Sequence, residues 1–104
     1  MADVFIINVT VGANSVTVDS DSVEADYHDQ IKWSSTNASR FHIQFENNKT
    51  PFDRMNLTYA EATTFRNPEE AAAVGNYKYT IVSDANPNVT KDPYIKIKNP
   101  TIQT

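Results

Sequence analysis

The two histidines, His28 and His42, are the first candidates for a catalytic or metal-binding site, because the 104-residue chain contains no cysteine. His28 lies between Asp26 and Asp29, and an imidazole with two carboxylates could form a weak site for a divalent cation. Zinc and copper sites need three or four converging ligands, and a histidine beside two aspartates is more typical of a polar turn. We therefore predict no metal site and no cofactor, with His28, Asp26 and Asp29 as the weak candidates.

His42 belongs to a segment of strictly alternating side chains, FHIQF at residues 41–45. In a strand, the two phenylalanines and the isoleucine would share one face, and His42 and Gln44 would share the other. His42 could meet an acidic residue of the paired strand there and act as a ligand or proton acceptor. The interpretation that we favour is a surface histidine without a catalytic role.

Composition argues against most other kinds of active site. The absence of cysteine excludes a disulfide framework, a thiolate nucleophile and an iron–sulfur cluster. The only glycines, Gly12 and Gly75, cannot form a glycine-rich phosphate loop, and no serine lies in a G-x-S-x-G motif. The acidic segment 19–23 lacks the later ligands and the turn glycine of a calcium loop. We therefore predict that the protein is not an enzyme.

The charge pattern restricts the class of partner. Nine basic residues against thirteen acidic ones give a net charge of −4, and no basic cluster suited to phosphate contacts is present. We predict no binding to nucleic acid. The acidic segment 19–29 could steer a basic partner, but we interpret it as a solvated connection between strands.

No apolar run approaches the roughly 20 residues needed to cross a bilayer, so no membrane association is predicted. The opening residues MADVFIINVTVG lack the basic segment and cleavage site of a signal peptide. These features predict a cytoplasmic protein, and a fragment of an exported protein is the alternative.

The hydrophobic pattern is that of an all-β protein. Short segments of β-branched or alternating residues recur about every ten residues, which is typical of a β-sandwich or a closed barrel. The predicted strands cover residues 4–11, 16–18, 31–33, 41–45, 62–66, 76–82 and 94–98. Residues 67–73 predict a short helix, with Asn67 as N-cap, Pro68 in its first turn, Glu70 closing a capping box and Gly75 beyond its end. Because the connections are long and glycine is scarce, we predict one Greek-key β-sandwich domain over residues 1–104.

The loop 47–58 and the tyrosine after it carry four sizeable apolar side chains that no strand positions. Either they fold over one end of the sandwich as a plug, which we favour, or they form a hydrophobic contact surface. If the domain binds another protein or a second copy of itself, this is where we predict the contact: at Phe52, Met55, Leu57 and Tyr59. The aromatic residues of the strands are interpreted as core residues, namely Trp33, Phe41, Phe45, Tyr77 and Tyr79.

Four segments together resemble the cupredoxin (plastocyanin-like) family. They are residues 23–33, which end in an I-x-W strand, residues 41–45, the G-x-Y-x-Y strand 75–81 and the closing strand 92–97. The resemblance implies a cupredoxin-like Greek-key sandwich. An immunoglobulin-like or fibronectin-type sandwich, which also buries a tryptophan in an early strand, is the alternative.

The resemblance also implies where copper would be held, and the residue types there are unsuitable. The positions of the first histidine, the thiolate and the second histidine fall on Phe41, Ile81 and Asp84, and residues 85–92 contain no axial methionine. We therefore predict a non-catalytic, metal-free binding or assembly module that mediates protein–protein interaction. An electron-transfer or metal-handling protein of cupredoxin type is the alternative function.

Overall fold

Extended strands of alternating burial are the main regular elements of the protein. The computed structural model describes residues 3–99, so residues 1–2 and 100–104 of the predicted domain lie outside the described residues. In β1, the side chains of Ile7, Val9 and Val11 are buried and the intervening ones are exposed, because successive side chains of a strand point to opposite faces. In chain order the elements are β1 (Val4–Val11), β2 (Val16–Val18), β3 (Ser22–Ala25), β4 (Gln30–Ser35), β5 (Phe41–Phe45), β6 (Asn56–Leu57), α1 (Tyr59–Ala62), β7 (Gly75–Ser83), β8 (Thr90–Lys91) and β9 (Tyr94–Ile97).

The strands form two mixed sheets that pack face to face. The three-stranded sheet has the order β2-β1-β4, and the larger sheet has the order β3-β9-β7-β5-β6, with β8 paired to β7. β1 is parallel to β4, and β3 is parallel to β9. The chain leaves the three-stranded sheet after β2 and enters the larger sheet as β3. The predicted all-β sandwich is confirmed.

The core lies between the inner faces of the two sheets. Trp33 of β4 and Tyr79 of β7 are among its largest fully buried side chains. The indole Nε1–H of Trp33 donates a hydrogen bond of 3.1 Å to the Tyr79 hydroxyl, and the two rings meet edge to face with centroids 5.4 Å apart. The predicted core aromatics are all buried, and each full burial of such a side chain contributes on the order of 2 kcal/mol.

The predicted helix over residues 67–73 is wrong, and the helix lies earlier in the chain. The side-chain amide of Asn67 donates to the carbonyl oxygens of Tyr27 and Asp29 across the fold, so it does not cap a helix. Instead α1 begins after Thr58, whose hydroxyl accepts from the Glu61 N–H while the Glu61 carboxylate accepts from the Thr58 N–H. This capping box supplies partners for N–H groups that a helix start leaves unpaired.

Two neighbouring predictions also need correction. The strand predicted over residues 62–66 does not form, since Ala62 ends α1 and only Arg66 pairs, in an isolated bridge with Ile31. Thr63 continues the turn because its hydroxyl bonds back to the Tyr59 carbonyl oxygen. The predicted loop 47–58 contains the short strand β6, which pairs with β5.

Within residues 3–99, no helix is long and apolar enough to cross a membrane.

Candidate functional site

The end of the sandwich where the family resemblance would place copper is filled with hydrocarbon. Phe41 opens β5, Ile81 lies in β7, and neither side chain is accessible to solvent. Both point to the inner face, where Phe41 is opposite Ser83 and Ile81 is opposite Ile43. The Phe41 ring also packs edge to face on Tyr59, with centroids 5.2 Å apart. These side chains have no donor atom for a metal.

His42 lies on the outer face of the same strand, as predicted, and it does meet an acidic residue. Its Nδ1 is 2.6 Å from Oδ1 of Asp84, which follows the end of β7, and its Nε2 is 3.3 Å from Nε2 of Gln44. A carboxylate that accepts from Nδ1–H orients an imidazole and leaves its Nε2 as the outward nitrogen. The nearby Ser83 is buried on the opposite face, so its hydroxyl is not positioned as a nucleophile for His42.

Asp84 also borders an open cavity of about 610 Å³ at this end of the sandwich. Its wall combines the β1–β2 turn, the segment before β5 and the segment after β7 (Val11, Gly12, Ala13, Ser39, Arg40, Ser83, Asp84, Ala85 and Asn86). The charged groups of the wall already have partners, since Asp84 contacts His42 and the Arg40 guanidinium stacks over the Tyr59 ring at 5.1 Å. The cavity has the volume of a small-molecule site, and both charged groups of its wall are engaged in contacts within the protein.

The weak metal candidates form a hydrogen-bonded turn. The buried Asp29 carboxylate accepts from the backbone N–H groups of Asp3 at 2.8 Å and Asp26 at 2.9 Å. Asp26 Oδ1 accepts from the His28 N–H at 2.8 Å and lies 3.3 Å from His28 Nδ1. The structure therefore brings His28 and Asp26 together but directs the Asp29 carboxylate to the backbone. Among residues 3–99, no three or more His, Cys, Asp or Glu side chains are placed to hold a metal ion.

The acidic segment 19–29 is occupied by contacts within the protein. Asp19 accepts from the backbone and the side chain of Asn8. Asp21 and Glu24 each lie 3.5 Å from a lysine ammonium, those of Lys91 and Lys96. The interpretation of this segment as a solvated connection is wrong in its middle and at its end, because residues 22–25 form β3 and the Asp26 and Asp29 side chains are buried.

The predicted partner-binding residues turn mostly inward. Phe52 and Leu57 are buried, and Met55 and Tyr59 are partly buried and packed against the core. The Phe52 ring meets Trp33 and Phe45 edge to face, with centroid distances of 6.2 and 5.7 Å. The segment therefore has the plug arrangement, and Phe52 and Leu57 are not surface contacts. A role of Met55 and Tyr59 in partner binding stays a prediction.

Exposed apolar side chains gather instead on the outer face of the three-stranded sheet. Val4 is 57% exposed, Ile6 is 46% exposed and Phe65 is 38% exposed. Ile6 is opposite Lys32 in the β1–β4 pairing, and the Lys32 ammonium lies 4.7 Å from the centroid of the Phe65 ring. We call these four residues, Val4, Ile6, Lys32 and Phe65, the β1 patch.

The β1 patch adjoins an open sheet edge. The carbonyl oxygen of Asp3 accepts from the Gln30 N–H of β4, and that of Val9 accepts from the N–H of Thr36, which follows β4. The backbone groups of odd-numbered β1 residues therefore point toward β4, and those of even-numbered residues point away from it. On that other side, β2 pairs only with Val9–Val11, and Asp19 accepts from the Asn8 N–H and donates to its carbonyl oxygen. The N–H and C=O groups of Val4 and Ile6 therefore have no partner among the described residues. We call residues 4–7 the open edge.

The sequence reasoning predicted β1 but missed this surface. The signal was present, because residues 4–7 read VFII and are apolar on both faces, whereas true alternation begins only at Asn8. In a two-layer sandwich one of those faces must meet solvent.

No protein-family model and no curated protein matches the chain.

Proposed function

We propose that this domain is a metal-free, cupredoxin-like Greek-key sandwich that binds another protein by accepting an extended strand at the open edge of β1. The main support for this proposal is that Val4 and Ile6 combine exposed apolar side chains with backbone groups that have no partner among the described residues. The activity is non-catalytic.

The position of the last strand supports the cupredoxin-like topology over the immunoglobulin-like alternative. In the immunoglobulin C-F-G sheet the last strand lies at the edge. Here β9 lies inside the larger sheet, antiparallel to β7 on one side and parallel to β3 on the other. The buried hydrocarbon of Phe41 and Ile81 supports the absence of a copper site.

The open edge is suited to strand addition because no residue in the range 3–99 pairs with it. Natural sheet edges are commonly blocked by lysine, proline, a bulge or a covering loop. Residues 4–7 contain no charge and no proline. An added strand would pair with the N–H and C=O groups of Val4 and Ile6, and each hydrogen bond would contribute about 1 kcal/mol to binding. The same strand would cover the exposed Val4 and Ile6 side chains.

Selection from a displayed library of random peptides tests this function. We expect the immobilised domain to enrich peptides of alternating apolar residues. Their affinity should fall at least about tenfold with Ile6→Pro, which removes an outward N–H that β4 does not use. Ile6→Thr keeps that N–H and should have a smaller effect.

The matched control removes an equally exposed apolar side chain far along the sequence from β1. Val74 is 56% exposed, so Val74→Ser should leave peptide affinity unchanged, whereas Val4→Ser should lower it. A library that yields no binder, or binders indifferent to Ile6→Pro, would contradict the proposed function.

A further inference from the structure

The geometry points to a specific occupant of the open edge, namely β1 of a second copy of this chain, paired antiparallel about a twofold axis at Phe5. This inference rests on the proposed function, because it uses the same edge and names the strand that fills it. A twofold contact uses the same surface on both copies, so the edge must be complementary to itself.

Backbone complementarity fixes the register. In an antiparallel ladder, two residues that face each other across a hydrogen-bonded pair exchange both N–H···O bonds. With the axis at Phe5, Val4 of each copy faces Ile6 of the other, so every unpaired N–H and C=O of the open edge gains a partner. Moving the axis to Ile6 would place Val4 opposite Asn8, whose N–H and C=O already bond to Asp19.

The side chains are complementary in the same register. Val4 of one copy lies beside Ile6 of the other on the outer face, and such apolar cross-strand pairs stabilise a sheet. Phe5 is only partly buried against the core and meets Phe5 of the second copy at the axis, where an antiparallel pair without hydrogen bonds brings side chains closest.

Charge does not oppose contact at the open edge itself. Each chain carries a net charge of −4, so two copies repel each other on average. Residues 4–7 carry no charged side chain, and the carboxylate of Asp19 is held at Asn8, where the open edge ends.

The pairing joins two three-stranded sheets into one and consumes the open edge of both copies, so it closes as a dimer and does not extend into a fibre. The contact is short and falls below the area of a standard interface, so we expect a reversible dimer with a dissociation constant on the order of 10–1000 µM.

Sedimentation equilibrium between about 10 µM and about 1 mM tests the dimer. The wild-type chain should shift from monomer to dimer over this range. Ile6→Pro should raise the dissociation constant at least about tenfold, and Val74→Ser should leave it unchanged. The far-ultraviolet circular dichroism and unfolding midpoint of Ile6→Pro show whether the variant is folded.

Cysteine cross-linking tests the register, because the chain has no cysteine of its own. Under mild oxidation, Phe5→Cys should form a disulfide-linked dimer faster than Val74→Cys, since only residue 5 faces itself across the axis.

The outcomes separate this inference from the proposed function. A chain that stays monomeric to about 1 mM, or a dimer that Ile6→Pro does not weaken, overturns the inference. Equal cross-linking of Phe5→Cys and Val74→Cys overturns the register. If the affinity of the selected peptides still falls with Ile6→Pro in those cases, the proposed strand-accepting function is supported even though the dimer is not.

Discussion

At the scale of single residues, Tyr79 shows how the core combines apolar packing with one polar contact. Burial raises the pKa of its phenol, and the hydrogen bond from the Trp33 indole opposes this effect only in part. The pKa in the folded state therefore lies above the value of about 10 of an unfolded tyrosine. Stability from this group is fully present below about pH 10 and is lost as the pH rises further, because the unfolded chain releases the proton first.

Tyr79→Phe should therefore have two effects on the free energy of unfolding. Near neutral pH it should lower that free energy by about 1–3 kcal/mol, because the buried Trp33 N–H loses its acceptor. Above about pH 10 the variant should lose stability less steeply than the wild type, by up to about 1.4 kcal/mol per pH unit. Urea unfolding at a series of pH values measures both effects. Tyr94→Phe, at an exposed tyrosine, is the control, and an equal response of the two variants would contradict the argument.

At the scale of elements, the segment around β6 and α1 acts as part of the core. Phe52→Ala should lower the free energy of unfolding by about 3–5 kcal/mol, because it opens a cavity beside Trp33 and Phe45. Phe65→Ala removes the same ring from an exposed site and should cost less than about 1 kcal/mol. Denaturant unfolding of both variants measures the difference. Equal costs would show that Phe52 lies at the surface and would revive the contact-surface alternative.

At the scale of the whole molecule, the packing of the sheets bears on the family resemblance. Wild-type protein mixed with copper(II) should stay colourless, because Phe41 and Ile81 have no donor atoms. If the resemblance is correct, the combined variant Phe41→His, Ile81→Cys, Asp84→His should gain the visible absorption of a copper–thiolate bond. The matched control carries Ile81→Ser in place of Ile81→Cys and should lack this absorption. A folded combined variant that binds no copper would argue against the resemblance, and a blue wild-type protein would argue against a metal-free domain.

The sequence by itself predicted β1, β2, β4, β5, β7 and β9 and their buried faces, because alternation of side chains depends only on neighbours along the chain. It missed the short strands β3, β6 and β8. Asn67 shows where this reasoning fails: its local pattern is that of a helix N-cap, but contacts with Tyr27 and Asp29, distant in sequence, take its amide. For Phe52, the sequence allowed either a plug over the core or an exposed contact surface, and only the packing of the sheets shows that the side chain is buried.

Only the tertiary structure decided which sheet each strand joins and which edge is left without a neighbour. The same alternating pattern suits a strand with one neighbour or with two, because backbone N–H and C=O groups are identical in every residue except proline. The coincidence of an unpaired edge with exposed Val4 and Ile6 therefore depends on β2 pairing only with Val9–Val11, which no local pattern specifies.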